Sequence, residues 1–153
     1  PAGVYVHFAS KEDLLFQLSR VGHEGARDAL AAAAAEAGSP TDALQEVISA
    51  FARWHAEQHQ VARIVQYEFR HLSPDHQREV LTLRREIDGV VEAIISDGVA
   101  TGEFAVSDVR ATALAALSLV VDVARWYHPG VRQSPEDIGR TYAGFALRLV
   151  GAG

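Results

Sequence analysis

The chain has 153 residues, a formal charge of −6 and no cysteine, with 48% of its residues hydrophobic and 22% charged. That balance excludes a disordered polymer, and the length suffices for one domain, or one domain plus a fragment, with a real core. The lack of cysteine excludes disulfides and thiolate metal centres and fits the cytoplasm. The acidic balance makes the chain as a whole a poor general partner for nucleic acid.

In chain order, residues 2–8 read as the end of a helix, with Val4 and Phe8 spaced to share a face. Ser10 is placed to cap a new helix, and Asp13 stands three residues on, as a capping box requires. Tyr5, His7, Ser10 and Lys11 therefore cluster round a tight turn beside the free N–H groups of a helix start, an array of donors suited to phosphate. Lys11 is the single lysine against thirteen arginines. From Ser10 the pattern is helical, with Leu14, Leu15, Leu18, Val21 and Leu30 in one stripe. Gly22 and Gly25 mark a bend or a close packing point in it, and Gly38 is expected to close it as a C′ glycine.

Three Ser-Pro pairs, Ser39-Pro40, Ser73-Pro74 and Ser134-Pro135, each place a capping serine before an N1 proline, so each predicts a helix start. Helices follow over 40–58, 60–71 and 74–100. A turn comes at 101–104, then a helix over 107–128 beginning at Ser107 or its neighbour, and a last helix over 135–150. No hairpin dipeptide lies between alternating segments, so strands are not expected. The polar N-terminus lacks the pattern of a secretion signal, and the longest apolar run, 111–121, is interrupted by Thr112 and Ser118. A cytoplasmic chain with no membrane partner is expected.

Gly3-x-Tyr5-x-His7-Phe8-x-Ser10-Lys11-Glu12-x-Leu14 resembles the junction between the recognition helix and the following long helix in the TetR family of transcriptional regulators. Alanine stands at position 2, where that family usually has glycine. The resemblance implies that Tyr5, His7 and Lys11 touch DNA phosphates, contacts that position a protein without specifying sequence, and that Phe8 locks the helix-turn-helix. It places Pro1 within the recognition helix, so the first helices of such a domain would precede this chain. Implied in turn is an all-α fold: a helical bundle regulatory domain preceded by the end of a helix-turn-helix domain. The boundaries read from it are 1–18 for the helix-turn-helix remnant and 19–153 for effector binding and dimerisation. Arg125-Trp126-Tyr127, Gly130, Ser134-Pro135-Glu136 and Tyr142 are similar to the C-terminal part of a branch whose effectors are acyl-CoA thioesters, although that branch often has a further tryptophan upstream of Arg125.

Trp54, Tyr67, Arg84 and Arg125 sit at the edges of apolar stripes on four helices, the composition of a mostly apolar pocket with a few polar anchors. With Glu68, Ile87, Val91, Leu117 and Val121 they form the expected ligand site. Arginine would suit a carboxylate or phosphate on a lipid-like effector, whereas the plainer reading pairs Arg84 with Asp88 and Arg125 with Asp122. The helix at 107–128 is apolar round most of its circumference, and the last helix presents Tyr142, Phe145 and Leu149 besides small residues. Two such helices from each of two subunits predict a homodimer through Ala113, Ala116, Val120, Trp126, Tyr142, Phe145 and Leu149. His55 and His59 have metal-ligand spacing, but Ala56 stands where a metalloprotease needs glutamate, and a solvated pair at a helix end is the expectation. No nucleophile elbow or glycine-rich phosphate loop is found. The expected function is a ligand-responsive regulator, a repressor released from double-stranded operator DNA by an acyl-CoA or other lipid-like effector, with no cofactor, no metal and no enzymatic activity. The alternative is a helical small-molecule binding or carrier protein that has no dealings with DNA.

Overall fold

Of the six α-helices among the described residues, five begin at a side chain that accepts a hydrogen bond from the helix's own first turn, satisfying a donor that has no partner inside the helix. The computed structural model describes residues 8–152. Ser10 caps α1 (Lys11–Glu36) and Ser39 caps α2 (Pro40–Glu57). α3 (His59–Glu68) follows without a side-chain cap and tightens into a 3-10 turn over Phe69–His71. Ser73 caps α4 (Pro74–Thr101), Asp108 caps α5 (Val109–Trp126), and Ser134 caps α6 (Pro135–Leu149). At α6 the box is complete, since Asp137 returns a carboxylate oxygen to the Ser134 N–H at 3.1 Å. At α1 the corresponding Asp13 carboxylate instead accepts from the Ala9 N–H at 3.2 Å. No strand occurs among the described residues, and none of the described helices is long and apolar enough to cross a membrane.

Two expectations about glycine are corrected. Gly38 does not close α1 in the left-handed region. Ala37 turns extended at φ −72° and ψ 146°, and the chain runs straight into the Ser39 cap, so no left-handed residue is needed. That role belongs to Gly102, which ends α4 at φ 80°. Nor are Gly22 and Gly25 close packing points: an added Cβ at either would meet nothing within 4 Å. The close approaches are elsewhere. At Gly139 a Cβ would lie 2.7 Å from the Ser49 carbonyl oxygen, so glycine is what lets α6 rest on α2. At Gly98 it would lie 2.0 Å from the Phe104 ring, which folds back over the end of α4.

α2 is the centre of the core, with Leu44, Val47, Ile48 and Ala52 fully enclosed by α1, α4, α5 and α6. A second, smaller cluster of Phe16, Leu72 and Val80 lies where the start of α1 meets the start of α4. Here Phe16 stacks on the His76 ring at 3.6 Å, and Glu12 accepts from both the Ser73 N–H and His76 Nδ1, each at 2.8 Å.

Ala113, Ala116 and Val120 are buried inside this single chain rather than on an outer face. The reason is register: the α5 side that carries them packs on the chain's own core, while Leu114, Ala115 and Leu119 point outward. Phe145 and Leu149 are 40% and 43% exposed, and Trp126 and Tyr142 half-buried.

Candidate ligand-binding cavity

A half-open cavity of about 500 Å³ lies among α1, α2, α3, α4 and α5. α1 supplies Leu18, Ser19, Gly22, His23 and Ala26; α2 supplies Phe51, Trp54 and His55. Val61, Ala62, Val65 and Gln66 come from α3, with Arg84, Ile87 and Asp88 from α4. α5 closes the wall with Leu117, Ser118, Val121 and Asp122, while Leu114, more than half exposed, stands where the cavity opens. The lining is mostly apolar with a few polar groups, the usual make-up of a small-molecule site. α3 is held in place by Arg63, whose Nε and Nη2 donate to the carbonyls of Ala124 and Tyr127 at 2.6 Å each and so cap the end of α5.

The one cation on this wall, among the described residues, is Arg84. Its Nε–H donates to His23 Nε2 at 3.3 Å and its guanidinium lies 4.6 Å over the Phe69 ring. Its terminal nitrogens form no hydrogen bond or ion pair among the described residues; Asp88 shares the wall without pairing with it. Burial lowers the Arg84 pKa, partly offset by Asp88, and burial likewise raises that of Asp88. A desolvated guanidinium with an open edge is a receptor for a carboxylate or phosphate.

Two histidines share the wall. His23 donates from Nδ1 to the Ser19 carbonyl at 2.6 Å, and His55 from Nδ1 to the Phe51 carbonyl at 2.9 Å. A carbonyl only accepts, so in each ring Nδ1 carries the proton and Nε2 presents a lone pair. Burial lowers the pKa of both, that of His55 down to about 4, against a smaller opposing contribution from the carbonyl. His55 is only 5% exposed, so the expected solvated pair is corrected. His59 donates to the Ala56 carbonyl at 2.9 Å and packs against Tyr127, away from His55. No group of three or more potential metal ligands occurs among the described residues.

Of the side chains expected at the ligand site, the structure brings together Trp54, Arg84, Ile87, Leu117 and Val121. Val91 is fully enclosed in the core, and Tyr67 is 56% exposed on the outer side of α3. Glu68 accepts from His71 at 3.0 Å. Arg125 forms two bonds to Asp122, at 2.6 and 2.8 Å, which lower the Asp122 pKa. Sequence reasoning missed the whole α1 wall and His55. Their one signal was polar residues on an apolar stripe, with Ser19 and His23 four apart and His55 beside Phe51 and Ala52. At the other end of α1, Ser10 and Lys11 are exposed at the helix start, while Tyr5 and His7 lie outside the described residues.

Residues 37–150 match the family described as tetracyclin repressor-like, C-terminal domain. The chain belongs to the TetR family. A tetR-family regulatory protein from Rhodococcus RHA1 is 37% identical over 100% of this chain and 80% of its own, with a TM-score of 0.91. The TetR-family transcriptional regulator PfmR from Thermus thermophilus is 30% identical over 96% of this chain and 80% of its own, with a TM-score of 0.88. AibR, solved in complex with isovaleryl coenzyme A and operator DNA, shares the fold at 19% identity, covering 99% of this chain and 81% of its own at a TM-score of 0.83. No curated protein matches the chain. TetR-family proteins are transcriptional regulators, not enzymes, and the all-α expectation agrees with the six helices described here.

Proposed function

We propose that this TetR-family regulator is a repressor whose hold on operator DNA is released when an amphipathic acid or acyl thioester enters the cavity walled by α1 to α5. The observation that carries this reading is Arg84: a half-buried cation whose terminal nitrogens have no partner, set in an otherwise greasy wall. A volume of about 500 Å³ suits a medium acyl chain with its head group and is too small for a whole coenzyme A. An acyl-CoA would therefore lodge its acyl end inside and leave its nucleotide outside. The complex of AibR with isovaleryl coenzyme A supports the thioester class.

Residues 1–18 then belong to the DNA reader, with Tyr5, His7, Ser10 and Lys11 on phosphates, and 19–153 to the effector and dimer domain. α1 links the two, because one rigid helix about 39 Å long carries Lys11 at its start and Ser19, Gly22 and His23 in the cavity wall. Ligand among the central helices biases the tilt of this rod and so the spacing of two reading heads in a homodimer, for which a coupling of about 1–3 kcal/mol suffices. The dimer uses the outward side of α5 and α6, at Leu119, Phe145 and Leu149.

The test follows fluorescence anisotropy of the full-length protein on genomic duplexes that it selects. Dodecanoate or dodecanoyl-CoA should release the duplex, Lys11→Ala should weaken binding and lower its salt dependence by about one counterion, and Arg84→Gln should raise the dodecanoate Kd by roughly tenfold. Failure of every acyl ligand to shift the duplex would sink the effector reading.

A further inference from the structure

The hydrogen-bonding groups round the cavity are unevenly divided between donors and acceptors. His55 spends its Nδ1 proton on the Phe51 carbonyl, and His23 spends its own on Ser19. Ser118 donates its hydroxyl to the Leu114 carbonyl at 2.7 Å, and Gln66 donates an amide N–H to the Val121 carbonyl at 3.2 Å. With those donors taken by the backbone, the neutral side chains of the lining keep the Trp54 indole N–H and the second Gln66 amide N–H as donors, beside the lone pairs of the two histidines. The His23 pair is taken by the Arg84 Nε–H. The His55 pair is taken by nothing among the described residues, although His55 is 5% exposed and lines the cavity. Asp88 and Asp122 add acceptors, and Ser19 can turn its hydroxyl either way. The strong donor left over is Arg84.

A saturated fatty acid that fills the cavity satisfies Arg84 but shuts His55 Nε2 off from water without replacing the hydrogen bond, and an acceptor left unmet in that way carries a real cost. We propose that the cavity selects an amphipathic acid bearing a hydroxyl or amide N–H along its chain, which donates to His55 Nε2 while the acid group meets Arg84. His55 is in this sense a specificity-determining residue. The proposal rests on the cavity being the effector site.

The experiment is isothermal titration of the chain with dodecanoate and with its monohydroxylated isomers at carbons 3, 5, 7 and 9. The best isomer should bind about fivefold to tenfold tighter than dodecanoate, the gain expected of one neutral hydrogen bond in a closed site. His55→Phe should abolish that preference, because a phenyl ring offers the hydroxyl no lone pair. His55→Gln, which places an amide oxygen near the position of Nε2, should restore part of it. Thermal melts establish that each variant is folded. Equal binding of all the acids, or a preference that survives in His55→Phe, overturns the proposal and leaves the effector reading standing. Binding of none of them overturns both.

Discussion

His55 is held neutral by its surroundings, and that has a consequence for stability. Its ordinary value of 6.5 falls to about 4 in the folded chain because burial penalises the charged ring. Between those values the unfolded chain binds a proton that the folded chain refuses, so stability is full above pH 6.5 and drains away as pH falls toward 4. Comparing pH 7.5 with pH 5, urea unfolding of the parent should show a loss about 2 kcal/mol larger than that of His55→Phe. At Gly139 the constraint is steric. The missing Cβ would press on the Ser49 carbonyl, a backbone atom that cannot swing aside, so Gly139→Ala should destabilise the chain by about 1–3 kcal/mol in the same assay.

At the scale of helices, what matters is how the foot of α1 is fastened. Glu12 reaches across to the start of α4, where it accepts from the Ser73 N–H and from His76. Those bonds lower its pKa from 4.5, the Ser73 N–H contributing most and the His76 side chain next. A lowered folded pKa means a contribution present above the unfolded value and lost as pH falls through the folded one. Glu12→Gln should therefore be less stable than the parent at pH 7, with the difference narrowing as urea titrations are taken toward pH 3. Glu12 follows Lys11 directly, and Phe69, which packs beside this cluster, lies under the Arg84 guanidinium. The contacts thus run without a gap from the cavity wall to the end of α1 that we propose meets DNA.

For the molecule as a whole, the outward side of α5 and α6 carries Leu119, Phe145 and Leu149 at 40–44% exposure. If it is the subunit interface, Phe145→Asp combined with Leu149→Asp should halve the mass seen by sedimentation equilibrium without changing the helical circular dichroism. An unaltered mass would place the interface elsewhere.

The course of the helices was readable from local chemistry. Ser39, Ser73 and Ser134 each announced a start because a capping hydroxyl and an N1 proline act within four residues, and the resemblance carried by residues 3–14 led to the right family. The site was readable only in part. Trp54, Arg84, Ile87, Leu117 and Val121 sit on stripes whose inward direction periodicity reveals, yet so does Val91, which is sealed in the core, and Arg125 turned to Asp122. The same limit put Ala113, Ala116 and Val120 on an outer face when they pack inside. A repeat of 3.6 residues says which side of a helix is inward, but not whether the space it faces is filled or empty. That depends on where five helices stop approaching one another, and it turned His55 from one of a surface pair into a buried side chain lining a ligand-sized space.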